Sequence, residues 1–407
     1  MRIALRPRTI FKPSVVSITA VSASLAAWLF PSFGVLRKGF DSAARPELGA
    51  FAVLACWYLL IFLSFTIGEK LGATLVPPRS TPTEGLLGLN SNVIYYAFTL
   101  LSTVGIAFTL IRIFRLLSLQ QAMVAIALGQ ANELKGALYE DYSTGFVSLR
   151  YVVLYPAALA LYRMIRYKSF ALINIFNVFL LAVSALLLGS RLTLIATLLT
   201  VMFLLSFGKR SIRIHVPKLA TLATLLFLVL AVLNYSRNKD YYESNELSFG
   251  LAGISEIVAY LGSPFQVSLG TAPVVDKLAA GGDQTYRDFV DVGVNLNTNS
   301  AFVHLHEQIG YYSWPYIALV CLFMGVVFGV LTSLGKTVFL LPCGAILYGS
   351  AELWRLDLFR QGIFIIWFVI GIGLPAFLIG GQRLFTFMSD VRGIPGSGYR
   401  IPRQGGG

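Results

Sequence analysis

The chain has 407 residues, of which 56% are hydrophobic and 13% charged, about half the charged share usual in a soluble domain. With a mean hydropathy of +0.73, it holds more apolar surface than one soluble core could hide, and it is too apolar for disorder. The formal net charge of +13 does not by itself mark a nucleic-acid binder, which needs a basic face on a soluble domain.

A membrane-crossing helix needs about 20 mostly apolar residues. In chain order the candidates are Ser14–Val35, Ala50–Ile67, Val93–Ile113, Val147–Leu161, Ala171–Leu188, Leu192–Phe207, Leu219–Leu233, Ser313–Leu334, Thr337–Tyr348 and Gly362–Ile379. The expected fold is therefore all-α: one polytopic membrane domain over residues 1–407 with about ten transmembrane helices. The ninth span is short and contains Pro342; the first, preceded by Arg2, Arg6, Arg8 and Lys12, reads as a retained anchor. Cys56, Cys321 and Cys343 lie inside apolar runs, have neither disulfide-framework nor metal-ligand spacing, and read as core fillers.

Lys and Arg concentrate in short cytoplasmic loops. With both termini inside, 18 of the 32 basic residues fall on the inner face, and the basic tail returns to it after ten spans. The long hydrophilic segment 236–312 then lies outside as an extracytoplasmic loop. It holds nine acids and four bases, and is expected to carry short helices at Ile254–Leu261 and Val274–Leu278, with breaks at Gly262-Ser263-Pro264 and Gly281-Gly282. Tyr311, Tyr312, Trp314 and Tyr316 form an aromatic belt at its end. Segment 115–144 reads as an amphipathic helix on the outer membrane surface, with Met123, Ile126, Leu134 and Leu138 on its apolar face.

The basic residues left outside carry the chemical interest. Arg112 and Arg115 close the third span, Arg191 ends the Gly189-Ser190-Arg191 link before the sixth, and Arg355 and Arg360 precede the tenth. Guanidiniums bind phosphate oxygens in pairs and stay charged when partly desolvated, so five at one face suit an anionic ligand at headgroup depth. Arg191 also stands at a helix N-terminus, where free N–H groups and the dipole favour an anion. The plainer alternative is snorkelling to lipid headgroups or ion pairing with Glu352 and Asp357. His304, His306 and Glu307, just before the eighth span, could supply a general base or simply cap that helix; no second cluster completes a metal site around them. There is no phosphate-binding glycine loop, nucleophile elbow or Rossmann fingerprint, and no span has an ionisable residue deep in its middle, as an ion-coupled transporter would.

Four motifs in order resemble one known family. They are Gly189-Ser190-Arg191, Tyr260-Leu261-Gly262-Ser263-Pro264, Asn297-Thr298-Asn299-Ser300-Ala301-Phe302 with Glu307 and Gly310, and Trp354-Arg355-Leu356-Asp357-Leu358-Phe359-Arg360. Over roughly residues 92–381, mostly in layout, the chain resembles the Wzy-type O-antigen or oligosaccharide-repeat-unit polymerases, which share a GT-C-like plan with the O-antigen ligases. The ligase branch has a His-Asn pair near the place of Asn299-Ser300, which this chain lacks. The resemblance implies a bacterial inner-membrane glycosyltransferase whose donor and acceptor glycans are linked to undecaprenyl pyrophosphate, needing no metal or other cofactor and no nucleic acid. A chain-length regulator and a flippase are its candidate partners, beside membrane lipids. It implies that Arg191, with Arg355 or Arg360 and also Arg112 and Arg115, meets the pyrophosphate, that His304, His306 or Glu307 takes the acceptor's proton, and that Tyr260, Asn297, Asn299 and Tyr311 line the glycan path. The other readings are a ligase on the same plan and a lipid-linked sugar flippase or transporter, which would show internal repeats and a charged central cavity.

Overall fold

The computed structural model describes residues 2–5, 7–30, 34–37, 39–40, 47–76, 89–116, 146–186, 191–207, 212–215, 239–278, 285–294, 299–335 and 337–391, with isolated residues between 221 and 235. These are helical apart from one antiparallel ribbon, in which β1 (Arg2–Leu5) pairs with β2 (Ile212–His215), Arg2 opposite His215, and an isolated bridge between Phe40 and Val294. The ribbon brings the N-terminal basic run and the basic segment after the sixth expected span to the same side, where sequence reasoning groups them.

The main helices are α1 (Pro13–Trp28), α2 (Leu48–Thr74), α3 (Leu89–Leu116), α4 (Leu154–Tyr167), α5 (Leu172–Leu186), α6 (Arg191–Ser206), α7 (Phe249–Thr271), α8 (Ala301–Ile309), α9 (Ser313–Leu334), α10 (Thr337–Glu352) and α11 (Gly362–Val391). Among the described residues, four segments are long and apolar enough to cross a membrane: Leu48–Thr74, Asn92–Arg115, Ala301–Leu334 and Gly362–Gly380. Four more apolar helices, within α1, α5, α6 and α10, are shorter than a full crossing. Nine of the ten expected spans thus overlap helix, four of them at spanning length, though α1 ends at Trp28 within the first and the fourth begins as a 3-10 segment at Phe146–Val153; the seventh, Leu219–Leu233, falls mostly outside the described residues. The amphipathic segment 115–144 also lies outside them beyond Leu116.

Among the described residues the most extensive helix–helix contact is the parallel pair α2 and α9. Gly68 and Gly72 face Gly325 and Gly329, two glycines four residues apart on each helix, and a Cβ built at Gly68, Gly72 or Gly329 would overlap partner backbone atoms. Small residues at this spacing let backbones approach closely, which is how helices associate where lipid supplies no hydrophobic drive. Their shared direction follows from the register: Trp57 meets Trp314, Phe65 meets Gly325, and Glu69 meets Gly329.

The segment expected as an outer loop with two short helices differs from that expectation. Phe249–Thr271 is one continuous helix that passes through Gly262-Ser263-Pro264, followed by a 3-10 turn at Ala272–Lys277. Pro264 lacks an N–H and would disfavour a free helix by about 3 kcal/mol. Here every residue from Gly262 to Leu269 is buried, and that packing overrides the local preference. Gly262 lies against the backbone at Ala27 and Trp28; the Ser24 hydroxyl donates to the Leu261 carbonyl at 2.6 Å, and Trp28 Nε1 to Gln266 Oε1 at 3.1 Å. So α7 leans on the C-terminal half of α1 and forms part of the bundle rather than a loop above it.

These contacts define two ends. At one, Lys12 pairs with Glu69 at 3.1 Å beside Phe203 and Phe328. At the other, Tyr260 of α7 meets the turn that follows Glu352. Since α6 reaches the Lys12 end at Phe203 and crosses α10 where Thr200 abuts Gly344, its first residue, Arg191, stands toward the Glu352 end, about 13 Å from the crossing at 1.5 Å per residue.

Candidate functional site

The turn between α10 and α11, residues 353–361, gathers side chains from three other elements. Its first cluster is built on Arg355. Glu352 Oε2 accepts from Arg355 Nη2 at 2.8 Å and from Nε at 3.2 Å. The guanidinium lies 4.7 Å from the Tyr260 ring centroid, and Trp354 meets the same ring edge-on at 5.8 Å. Burial disfavours the Arg355 charge, but the adjacent Glu352 carboxylate, together with Tyr260 and Tyr348, more than offsets it, so its pKa is raised. The ion pair with Glu352 named as the plainer alternative is therefore present for Arg355. Tyr260 keeps 47% of its surface exposed.

The second cluster is built on α8. Ser300 caps this helix, its hydroxyl accepting from the Val303 N–H at 3.3 Å and touching Ser268 Oγ at 2.7 Å. Gly310, at φ 56°, ends it in the left-handed region that favours glycine. On its exposed face His304 and Gln308 stand one turn apart, with Gln308 Nε2 2.9 Å from His304 Nε2. Arg360 donates from Nη1 to Gln308 Oε1 and lies 5.7 Å from the Tyr316 ring centroid. The Tyr316 hydroxyl donates to Asp357 Oδ2 at 3.0 Å. Asp357 is 2% exposed, and its Oδ1 has no partner in hydrogen-bond geometry. Burial pushes the Asp357 carboxyl above the usual carboxylate range, offset in part by the Tyr316 hydroxyl, the Arg360 charge and the Phe359 N–H. The arrangement is an exposed guanidinium and an exposed imidazole over a buried carboxylate.

The remaining expected residues divide. His306 is corrected: it is fully buried among Trp57, Phe302 and Trp314. Its Nδ1 donates to the Phe302 carbonyl at 2.7 Å and its Nε2 accepts from Ser313 at 2.9 Å, so neither nitrogen can meet a substrate. Glu307 accepts the Tyr286 N–H at 2.7 Å and ties the 285–294 segment to α8. Tyr311 and Tyr312 are exposed as a belt would be, whereas Trp314 and Tyr316 turn into the bundle. Asn299 is exposed at the start of the α8 cap, and Asn297 lies outside the described residues. Arg191 opens α6, and Gly189 and Ser190 lie outside the described residues. Arg112 is half-buried and Arg115 exposed near the end of α3, which packs chiefly against the 3-10 segment Phe146–Val153, not against α8.

Gln308, Asp357 and Tyr316 were not among the expected site residues. Gln308 has a sequence signal, its one-turn spacing from His304; Asp357 and Tyr316 were each visible in the sequence, but their pairing was not, because it joins residues far apart in the chain. Two clefts lie elsewhere among the described residues. One of about 360 Å³ is lined by Phe11, Lys12, Glu69 and Thr332 at the far end. The other, about 470 Å³ and apolar, runs between α1 and α2 past Leu25, Phe51, Tyr58 and Phe265. Among the described residues no group of His, Cys, Asp and Glu is placed to hold a metal ion. No protein-family model, no curated protein and no solved structure matches the chain.

Proposed function

We propose that this chain is a membrane glycosyltransferase that polymerises oligosaccharide repeat units linked to undecaprenyl pyrophosphate, at the extracytoplasmic face of a bacterial inner membrane. The observation that carries this reading is the exposed pair Arg360 and His304 above buried Asp357, with Arg355 and Tyr260 alongside. An acceptor hydroxyl oxygen forms a bond to the donor's anomeric carbon as the bond from that carbon to pyrophosphate oxygen breaks. The electron pair leaves on the pyrophosphate, and the hydroxyl proton goes to His304, with Glu307 the second candidate. Arg360 and Arg191 meet the developing negative charge, and Arg355, already paired with Glu352, adds to the local field. A preorganised donor aimed at developing charge is worth roughly 10²–10³ in rate. The apolar groove between α1 and α2 is of a character to hold a prenyl tail.

The test is reconstitution in lipid with a synthetic pyrophosphate-linked oligosaccharide. A ladder of lengthening products is expected, and Arg191→Ala should abolish it. A single addition would instead indicate a ligase, and movement of intact substrate across the bilayer a flippase. An undiminished ladder from Arg191→Ala would remove Arg191 from the mechanism, and a reporter near Gly281 found on the cytoplasmic side would overturn the whole reading.

A further inference from the structure

The hydrogen bonds around Gln308 fix more than its position. Arg360 donates to Gln308 Oε1, so the amide nitrogen is the group that faces His304. An amide nitrogen only donates. His304 Nε2 is thereby held as an acceptor at 2.9 Å, and the neutral ring carries its proton on Nδ1. A proton arriving at Nε2 would meet an N–H and be repelled. The charged and titratable groups that face this pair are Asp357 and Arg360 from the turn and Tyr316 from α9.

We propose that Gln308 is a positioning residue that couples occupancy of Arg360 by an anion to proton acceptance at His304. This rests on the proposed function for the identity of the anion, a pyrophosphate. Phosphate oxygens engage a guanidinium through two parallel N–H bonds, which compete with its bond to Gln308. Once Arg360 is taken, the amide oxygen has no donor and the side chain turns over, presenting Oε1 to His304. The ring's proton can then sit on Nε2 and be donated to that oxygen, which leaves the Nδ1 lone pair to take the acceptor's proton. No bond to carbon is made or broken in this step; the base becomes able to accept the acceptor's proton only when the leaving group is in place.

The test uses the full chain in lipid nanodiscs with ¹⁵N-labelled histidine, the His304 signals being assigned by their loss in His304→Phe. Without ligand the ring should show the Nδ1–H tautomer. Saturation with inorganic pyrophosphate, against chloride at equal ionic strength, should convert it to an Nε2-protonated form. In Gln308→Glu the carboxylate accepts from both Arg360 and Nε2–H, so the Nε2-protonated pattern should appear before any ligand is added. A His304 pattern unchanged by pyrophosphate, a failure of pyrophosphate to bind, or a Gln308→Glu protein that retains the Nδ1–H tautomer would each overturn the proposal. A normal glycan ladder with an unresponsive His304 sinks the coupling alone; a responsive His304 in a protein that makes no glycan product sinks the polymerase reading alone.

Discussion

Around Tyr95, the Asn177 amide nitrogen donates to the Tyr95 hydroxyl at 2.9 Å, to Thr99 Oγ1 at 3.0 Å and to the Ile173 carbonyl at 2.9 Å. Tyr95 in turn donates to Asn174 at 2.8 Å, and Arg163 lies 4.3 Å from the Tyr95 ring centroid while donating to Asn92 at 2.8 Å. Around Asp357, by contrast, Arg360 and His304 reach solvent and a buried carboxylate oxygen lacks a partner. The two networks lie toward opposite ends of the bundle. From Tyr155, whose hydroxyl donates to the Trp367 carbonyl near the start of α11, helix α4 runs about 12 Å to Arg163. The first network spends its polar groups on joining α3, α4 and α5, leaving only the Asn177 carbonyl oxygen and Arg163 Nε without partners. The second leaves charge where a ligand can meet it. Buried amides bonded to the hydroxyls and carbonyls of neighbouring residues hold helices together; an exposed guanidinium over an unsatisfied carboxylate is the kind of group a binding site keeps in reserve.

That contrast can be broken experimentally, and the largest expected effect is on activity. Arg360→Ala should lower glycan-ladder formation by about 10²-fold while leaving thermal unfolding in detergent nearly unmoved. Equal loss of both would mean that the Arg360 end is structural too. The mirror experiment is Asn177→Ala, which strips the Tyr95 network of its central donor. It should cost about 1–3 kcal/mol of stability while the surviving folded protein keeps its activity. Gly72→Leu probes the seam between α2 and α9, and overpacking of the close backbone contact should cost about 1–3 kcal/mol, read as reduced detergent-resistant folded protein.

The smallest effect should come from Asp357→Asn and appear as a slope with pH. Because burial holds this carboxyl above its unfolded value, the folded chain binds more protons than the unfolded chain between the two. Stability from this group is therefore greatest at low pH and declines as pH rises through that interval. The Asn variant should lose the decline, gaining on the parent protein as pH increases. Parallel unfolding curves for the two proteins across the acidic range would show that Asp357 is not held as the geometry implies.

The apolar runs were legible in the sequence because membrane helices satisfy their own backbone, so length and hydropathy alone mark them. Ser313–Leu334 is the clearest case: the expected span and the observed helix coincide, with Gly310 and Gly335 at positive φ just outside it. Reading α7 went wrong at Gly262-Ser263-Pro264, where local preference favours a break and only burial on all sides keeps the helix intact. His304 and Arg360 were legible as an imidazole and a guanidinium at span ends, and Gln308 could have been read from its spacing. His306 looked equivalent to His304 two residues away, yet on a helix that step turns the side chain from solvent into the core.

By itself, then, the sequence determined that this is a chain of apolar helices, several of them of a length and hydropathy that could cross a membrane, and where the helix ends and their charges fall along the chain. Hydrophobic length and terminal residues act locally, so they can be read one segment at a time. Only the tertiary structure decided that the glycines of α2 and α9 share one seam, that α7 belongs to the bundle, and that Asp357, Tyr316, Arg360, Gln308 and His304 form a single chain of contacts. Apart from His304 and Gln308, one turn apart on α8, those pairings join residues from 41 to 257 positions apart, fixed by how helices pack and not by any pattern within one of them.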